Sequence, residues 1–318
     1  MSIEKRIIAV TGATGAQGGG LVRAILAHPE SGFAVRAITR DSGSEKARAL
    51  AAAGAEVVAA DLDDEASLQR AFAGAYGAFC VTNFWEHFSV EREQAQARNL
   101  AAAAKAAGVK HAIWSTLEDT RRFIPVDDPR MPTLQGKYKV PHFDGKGESD
   151  AVFRDSGVPT TFLLTCGYLE NVIFFGWGPQ RAPDGSLVLG LPAGQKRLSL
   201  IGAEDIGKCA FGIFREGTRH VGKYVGIAGE HVTGQQIAAA LSETMGEKVT
   251  YAPMSWDAYR KLGFPGADDL GNMFQFYHDC EREFIAARDL TIARRLNPEL
   301  ETVGAWMKRN GGRIPKPA

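Results

Sequence analysis

The chain has 318 residues, 45% apolar and 23% charged, and its 37 basic side chains are balanced by 37 acidic ones. This excludes a disordered chain, and it lacks the basic footprint of a protein that neutralises nucleic-acid phosphates, so no direct nucleic-acid binding is expected. The N-terminal run has no long apolar core with a cleavage site, and no stretch approaches the ~20 apolar residues that span a bilayer. The expectation is therefore a cytoplasmic protein that does not enter membranes.

Short β-branched runs alternate with alanine-rich amphipathic stretches over residues 1–165. Strands are predicted at 6–11, 33–39, 56–60, 78–82, 111–115 and 160–165, and helices at 17–27, 44–53, 66–72, 86–107 and 142–156. Gly54, Gly108 and Gly157 each follow the last periodic residue of a helix, where a left-handed cap is needed. Repeated βαβ units of this kind predict an α/β fold with a doubly wound parallel sheet. Residues 166–318 break the rhythm with aromatic and Gly/Pro-rich segments, and they are expected to form a smaller mixed α/β region that shares a cleft with the first. A strand near 223–227 is a candidate to return to the main sheet.

The first strand runs directly into Gly12-Ala13-Thr14-Gly15-Ala16-Gln17-Gly18, followed by a helical stretch. Glycines at this spacing allow a tight turn, let backbone N–H groups approach a pyrophosphate, and aim a helix N-terminus at its charge. With further βαβ units behind it, the loop points to a dinucleotide. A glycine-rich turn with no ligand is the alternative.

The end of the second strand bears on which dinucleotide. It reads Ile38-Thr39-Arg40-Asp41. Arg40 suits the 2′-phosphate of NADP(H), with Lys46 or Arg48 assisting, whereas a register shifted by one residue would place Asp41 on a ribose hydroxyl and favour NAD(H). NADP(H) is the favoured expectation. Asp61 and Leu62 after the third strand are expected to edge the adenine, unless Asp61 only caps the next helix. Thr82, Asn83, Phe84 and Trp85 after the fourth strand lie at the sheet's carboxyl edge, where ligands bind in such folds. Two matches to G-x(4)-G-K, at Gly202–Lys208 and Gly217–Lys223, lack the following Ser/Thr and are set aside. Neither the seven histidines nor Cys80, Cys166, Cys209 and Cys280 have metal-ligand spacing, so no metal is expected.

The first half resembles the short-chain dehydrogenases, which carry a Ser or Thr after the fifth strand and a Tyr-x-x-x-Lys on the next helix. Ser115 and Thr116 stand at the first position. No tyrosine here has a lysine four residues later; the expected helix reads His142-Phe143-Asp144-Gly145-Lys146. His142 is a candidate acid, since an imidazole titrates near neutrality, or else simply a residue beside the helix-starting Pro141. Lys146 is a candidate ligand of the nicotinamide ribose and could itself be the acid/base.

The segments Val10 to Gly18, Val81-Thr82-Asn83-Phe84-Trp85-Glu86, Pro141 to Glu148, Tyr168-Leu169-Glu170-Asn171 and Lys261 to Leu270 resemble the NmrA-like family, atypical short-chain dehydrogenases, and within it the animal redox-sensor branch. The resemblance implies a Rossmann-type domain that binds NADP(H). It implies cofactor contacts at Gly12, Thr14, Gly15, Ala16, Gln17, Gly18, Arg40, Asp61, Thr82, Asn83, Phe84 and Lys146, beside the Leu62 contact read from the end of the third strand. It also implies a sensing role in which cofactor occupancy alters the hold on a regulatory protein partner.

Two functions follow. The favoured one is a cofactor sensor. The alternative is a reductase that moves hydride from NADPH to a carbonyl, quinone or imine, with Lys146 or His142 replacing the tyrosine and Ser115 and Thr116 assisting. A homodimer through the 86–107 helix is a further candidate, although its alanines equally suit packing within the chain.

Overall fold

The computed structural model describes residues 5–317; residues 1–4, on which part of the reading of the N-terminus rests, and residue 318 lie outside the described residues. Six strands, β1 (Arg6–Val10), β2 (Phe33–Thr39), β3 (Glu56–Ala59), β4 (Gly77–Cys80), β5 (His111–Thr116) and β6 (Thr160–Leu164), join a later strand, Tyr224–Gly226, in one sheet. From one edge the order is Tyr224–Gly226, β6, β5, β4, β1, β2, β3, and every neighbouring pair is parallel. This is a Rossmann-type doubly wound sheet. The strand order reverses between β1 and β4, so a crevice opens there at the carboxyl ends of the strands.

Side-chain alternation along the strands divides the core into two layers. Ile8 and Val10 of β1 and Ile113 of β5 face Leu21, Val22 and Ile25 of α1 (Ala16–Ala27) and Ile206, Ala210 and Ile213 of the helix Ala203–Arg215. Ala9, Ala78, Ala112 and Trp114 point the other way. They meet α3 (Glu65–Phe72), α4 (Val90–Ala106) and α5 (Pro141–Ser156) through Leu68, Phe72, Leu100 and Phe153; α2 (Glu45–Ala52) lies between β2 and β3 in sequence. Two glycines let α1 cross the helix Ala203–Arg215 backbone to backbone. A Cβ on Gly207 would lie 2.1 Å from Leu21 N, and one on Gly20 would lie 2.8 Å from Glu204 O.

Outside the large sheet, Gly167–Tyr168, Arg197–Ile201 and Glu230–Thr233 form one small sheet, and Gln180–Arg181, Leu187–Leu189 and Val249–Tyr251 form another. The helix Ala267–Asp279 brings the late part of the chain back to the N-terminus of α5, through Asp269 to His142 and Asn272 to Lys139.

One predicted element needs correction. The helix expected over 86–107 starts only at Val90. Residues Phe84–Glu86 form a separate 3-10 turn, Phe88 has φ +53°, and the Ser89 hydroxyl caps the helix by accepting from Arg92 N. A bulky residue in the left-handed region cannot continue a helix, and helical periodicity does not reveal that break. Many alanines of α4 are buried within the chain.

Candidate functional site

The glycine loop sits at the switch point. Gly12, at φ +59°, begins the turn, Gly15 N donates to Gly12 O at 2.9 Å, and α1 follows immediately. A Cβ on Gly18 would lie 2.5 Å from Gly12 O and 2.6 Å from Thr11 O, so only glycine lets the helix press this closely on the loop. Thr11 ties the loop to β4: its hydroxyl donates to Phe79 O and accepts from Val81 N, each at 3.0 Å. Gly12, Gly15 and Ala16 are exposed and Thr14 is half-buried. The first turn of α1 has no side-chain cap and no acidic residue. Its N–H groups and positive dipole end face outward without an internal anion, and the cradle fits a dinucleotide pyrophosphate.

At one end of the crevice, Arg40 follows β2 and reaches across the mouth to Glu86, with Nη2 2.7 Å from Oε1; the two side chains are 61% and 41% exposed. Asp41 is occupied differently. Its carboxylate accepts from Gly43 N at 2.8 Å and closes the turn before α2. Lys46 and Arg48 are exposed on α2. Asp61 accepts from Asp63 N at 2.9 Å, whereas the cap of α3 is Asp64, which accepts from Ser67 N. Leu62 O accepts from Asn99 at 2.8 Å, and Asn83 is exposed beyond β4.

At the other end the groups are buried. Lys146 donates to Thr82 Oγ1 at 2.8 Å and Thr82 O at 3.2 Å, and it pairs with Glu93 Oε1 at 2.6 Å. These partners match the three hydrogens of an ammonium. Glu93 is fully buried and also accepts from the Thr82 hydroxyl at 2.6 Å, while its Oε2 has no partner and lies 3.8 Å from His87 Nε2. Burial holds His87 below the usual imidazole range, against the opposing pull of Glu93.

His142, one helical turn before Lys146, is also paired. Its Nδ1 lies 2.6 Å from Asp269 Oδ1 and its backbone N–H donates to Asp269 Oδ2 at 3.1 Å, both residues being buried. The ring packs 4.7 Å from Trp85 and 6.1 Å from Phe84, centroid to centroid. Beside it lies a cavity of about 280 Å³ lined by Phe84, Phe88, Gln135, Pro141, Gly266 and Asp269, among others.

The two hydroxyls at the end of β5 diverge, because adjacent strand residues face opposite sides of the sheet. Ser115 Oγ donates to Gln17 Oε1 at 2.7 Å, and Gln17 Nε2 donates to the hydroxyl of Tyr168. Burial pushes the Tyr168 phenol up to about 12. Thr116 instead donates to Asp150 at 2.7 Å on the α5 side, and burial pushes that carboxyl up to about 6. The structure therefore brings Gln17, Ser115, Thr82 and Lys146 to the crevice with the loop, and places Thr116 behind it.

Two residues escaped the sequence reading. Glu93 left a signal: it lies on the α4 stripe formed by Val90, Ala97, Leu100 and Ala104, where a carboxylate is out of place without a buried partner. Asp269 left none, since 127 residues separate it from His142.

The profile of the NmrA-like family matches residues 4–307. An NmrA-like family domain-containing oxidoreductase, FrzB from Cladobotryum sp, is 31% identical over 293 residues, covering 85% of this chain and 83% of that protein. The crystal structure of NmrA, a negative transcriptional regulator in complex with NADP, superposes with a TM-score of 0.78 at 24% identity, covering 96% of this chain and 95% of that one. An NADPH-dependent quinone oxidoreductase from Escherichia coli gives a TM-score of 0.70 at 26% identity, covering 95% and 98%.

Proposed function

Because the chain belongs to the NmrA-like family and carries a dinucleotide cradle on a Rossmann-type sheet, we propose that it is an NADPH-dependent reductase of a carbonyl, quinone or imine. The observation that carries this reading is the buried His142–Asp269 pair beside the aromatic cavity, one turn from Lys146. Beyond tying the helix Ala267–Asp279 to the start of α5, Asp269 orients the imidazole as a general acid requires.

In this reading the glycine loop holds the pyrophosphate, Arg40 takes the 2′-phosphate in place of Glu86, and Lys146 exchanges its longest bond, to Thr82 O, for the nicotinamide ribose while Glu93 and Thr82 Oγ1 keep its ammonium in place. Bound NADPH supplies a hydride for the electrophilic carbon of the acceptor. Asp269 accepts the Nδ1 hydrogen of His142, fixes the ring, and leaves Nε2 to pass a proton to the acceptor's oxygen or nitrogen as the C=O or C=N bond is reduced. His142 then recovers a proton from solvent. Ser115 orients the acceptor once its hydroxyl turns from Gln17 Oε1 to the acceptor's oxygen or nitrogen. The name of the oxidoreductase relative and the quinone chemistry of one structural neighbour support this reading.

The test is consumption of NADPH with a panel of quinones, aldehydes, ketones and imines. Asp269→Asn and His142→Ala are expected to lower kcat by about 10²–10⁴-fold, the range for a lost general acid, while Lys146→Ala mainly raises KM for NADPH. Tight NADPH binding by wild type with no turnover across the panel would overturn the reductase reading. It would favour the second reading, a cofactor sensor acting on a protein partner. The ion pair linking Arg40 to the turn that walls the His142 cavity favours that second reading, because it connects cofactor site and cavity.

A further inference from the structure

The turn between β4 and α4 touches both ends of the crevice. Its residue Glu86 holds Arg40, while its neighbours Phe84 and Trp85 pack on His142. The turn is a tight unit: Glu86 N donates to Asn83 O, and Phe88 N donates to Phe84 O at 2.8 Å. Phe88 closes it in the left-handed region at φ +53°, a strained conformation for a bulky residue that needs surrounding contacts to persist. Gly266 supplies one such contact, since a Cβ there would lie 2.8 Å from the Trp85 ring and 3.2 Å from that of Phe88.

We infer that Glu86 sets the preference between NADP(H) and NAD(H), by occupying Arg40 until a 2′-phosphate takes its place, and that this exchange moves Trp85 where it packs on the His142 ring. The inference rests on Arg40 as the 2′-phosphate clamp. An ion pair this exposed is weak, so a phosphate of roughly two negative charges, able to engage the guanidinium fork at two oxygens, displaces a single carboxylate. A ribose 2′-hydroxyl has no charge to do so, and Glu86 stays on Arg40 when NAD(H) binds. Asp41 does not compete, because its carboxylate is tied to Gly43 N. Glu86 is therefore a specificity-determining residue that charges a small, fixed cost to cofactors carrying the phosphate. Trp85 and Glu86 are consecutive in one 3-10 turn, so release of Glu86 displaces Trp85 with it.

The experiment titrates wild type, Glu86→Gln, Glu86→Ala and Arg40→Gln with NADPH, NADH, 2′,5′-ADP and 5′-AMP, reading affinity by calorimetry and tryptophan emission in parallel. A Trp85→Phe chain identifies the Trp85 share of the emission. Both Glu86 variants are expected to bind NADPH and 2′,5′-ADP roughly two- to five-fold more tightly, the scale of an exposed ion pair, with NADH and 5′-AMP unchanged. NADPH is expected to shift Trp85 emission in wild type more than NADH does, and Glu86→Gln should abolish that difference. If Arg40→Gln loses NADPH affinity but the Glu86 variants do not gain it, the clamp stands and the role of Glu86 is overturned. If Arg40→Gln binds NADPH as wild type does, the clamp falls and the inference with it. An equal gain for NADH would also overturn it.

Discussion

The two ends of the crevice hold their charges in opposite ways. At the mouth, Arg40 and Glu86 meet in solvent, where an ion pair is worth ~0–1 kcal/mol and exchanges partners readily. At the floor, Lys146, Glu93 and Thr82 form a closed set with Lys146 only 12% exposed and Glu93 fully buried, and His142 is locked to Asp269. Solvent makes the first pair replaceable by a ligand. Burial makes the second set a fixed scaffold, because separating its members leaves a charge with no water to take it. One fold thus has an adaptable recognition end and a preset chemical end.

Breaking the buried set gives the largest expected effect. Glu93→Leu leaves the Lys146 ammonium without its counter-charge and should cost about 3–5 kcal/mol in urea denaturation, with much of that recovered in a Glu93→Leu/Lys146→Met double variant. A loss no larger than that of Arg40→Gln would erase the contrast between the two ends. Gly18→Ala acts between them. Its Cβ meets backbone oxygens that cannot rotate away, so a loss of about 1–3 kcal/mol is expected together with loss of NADPH affinity in calorimetry.

A smaller effect appears as pH dependence behind the floor, where Asp150 accepts from Trp114, Thr116 and Tyr224. Its carboxyl is raised from the ordinary value to about 6, so between about pH 4 and 6 the folded chain holds a proton that the unfolded chain has released. This contribution to stability is present at low pH and lost as pH rises toward 6. The Tm of Asp150→Asn relative to wild type should therefore rise by a few degrees, about 2–4 °C, between pH 4 and 7. A constant or falling difference would show that Asp150 ionises normally. The exchange at Arg40 is the smallest of these effects and requires affinity rather than stability to detect.

Much of the crevice was legible in the amino-acid order, for identifiable reasons. The glycine loop, Arg40, Thr82 and Ser115 each sit at the end of a strand or the start of a helix, Lys146 lies in the second turn of α5, and local periodicity locates such elements to within a residue or two. The break at Phe88 was not legible, because apolar spacing continues through it while the backbone does not. The opposite orientations of Ser115 and Thr116 were implicit in strand alternation, but which face carried the crevice depended on what packed against each side.

By itself the sequence determined the βαβ rhythm, the nucleotide-type loop and the absence of a tyrosine four residues before Lys146. All three are short-range patterns, dictated by backbone geometry and side-chain spacing. Only the tertiary structure decided that His142 has Asp269, that Lys146 has Glu93, that Tyr168 meets Gln17, and that Arg40 rests on Glu86. Those pairings join residues from 46 to 151 positions apart. Which charge meets which at such distances is settled by how the layers pack and what they exclude from water, and no local pattern records it.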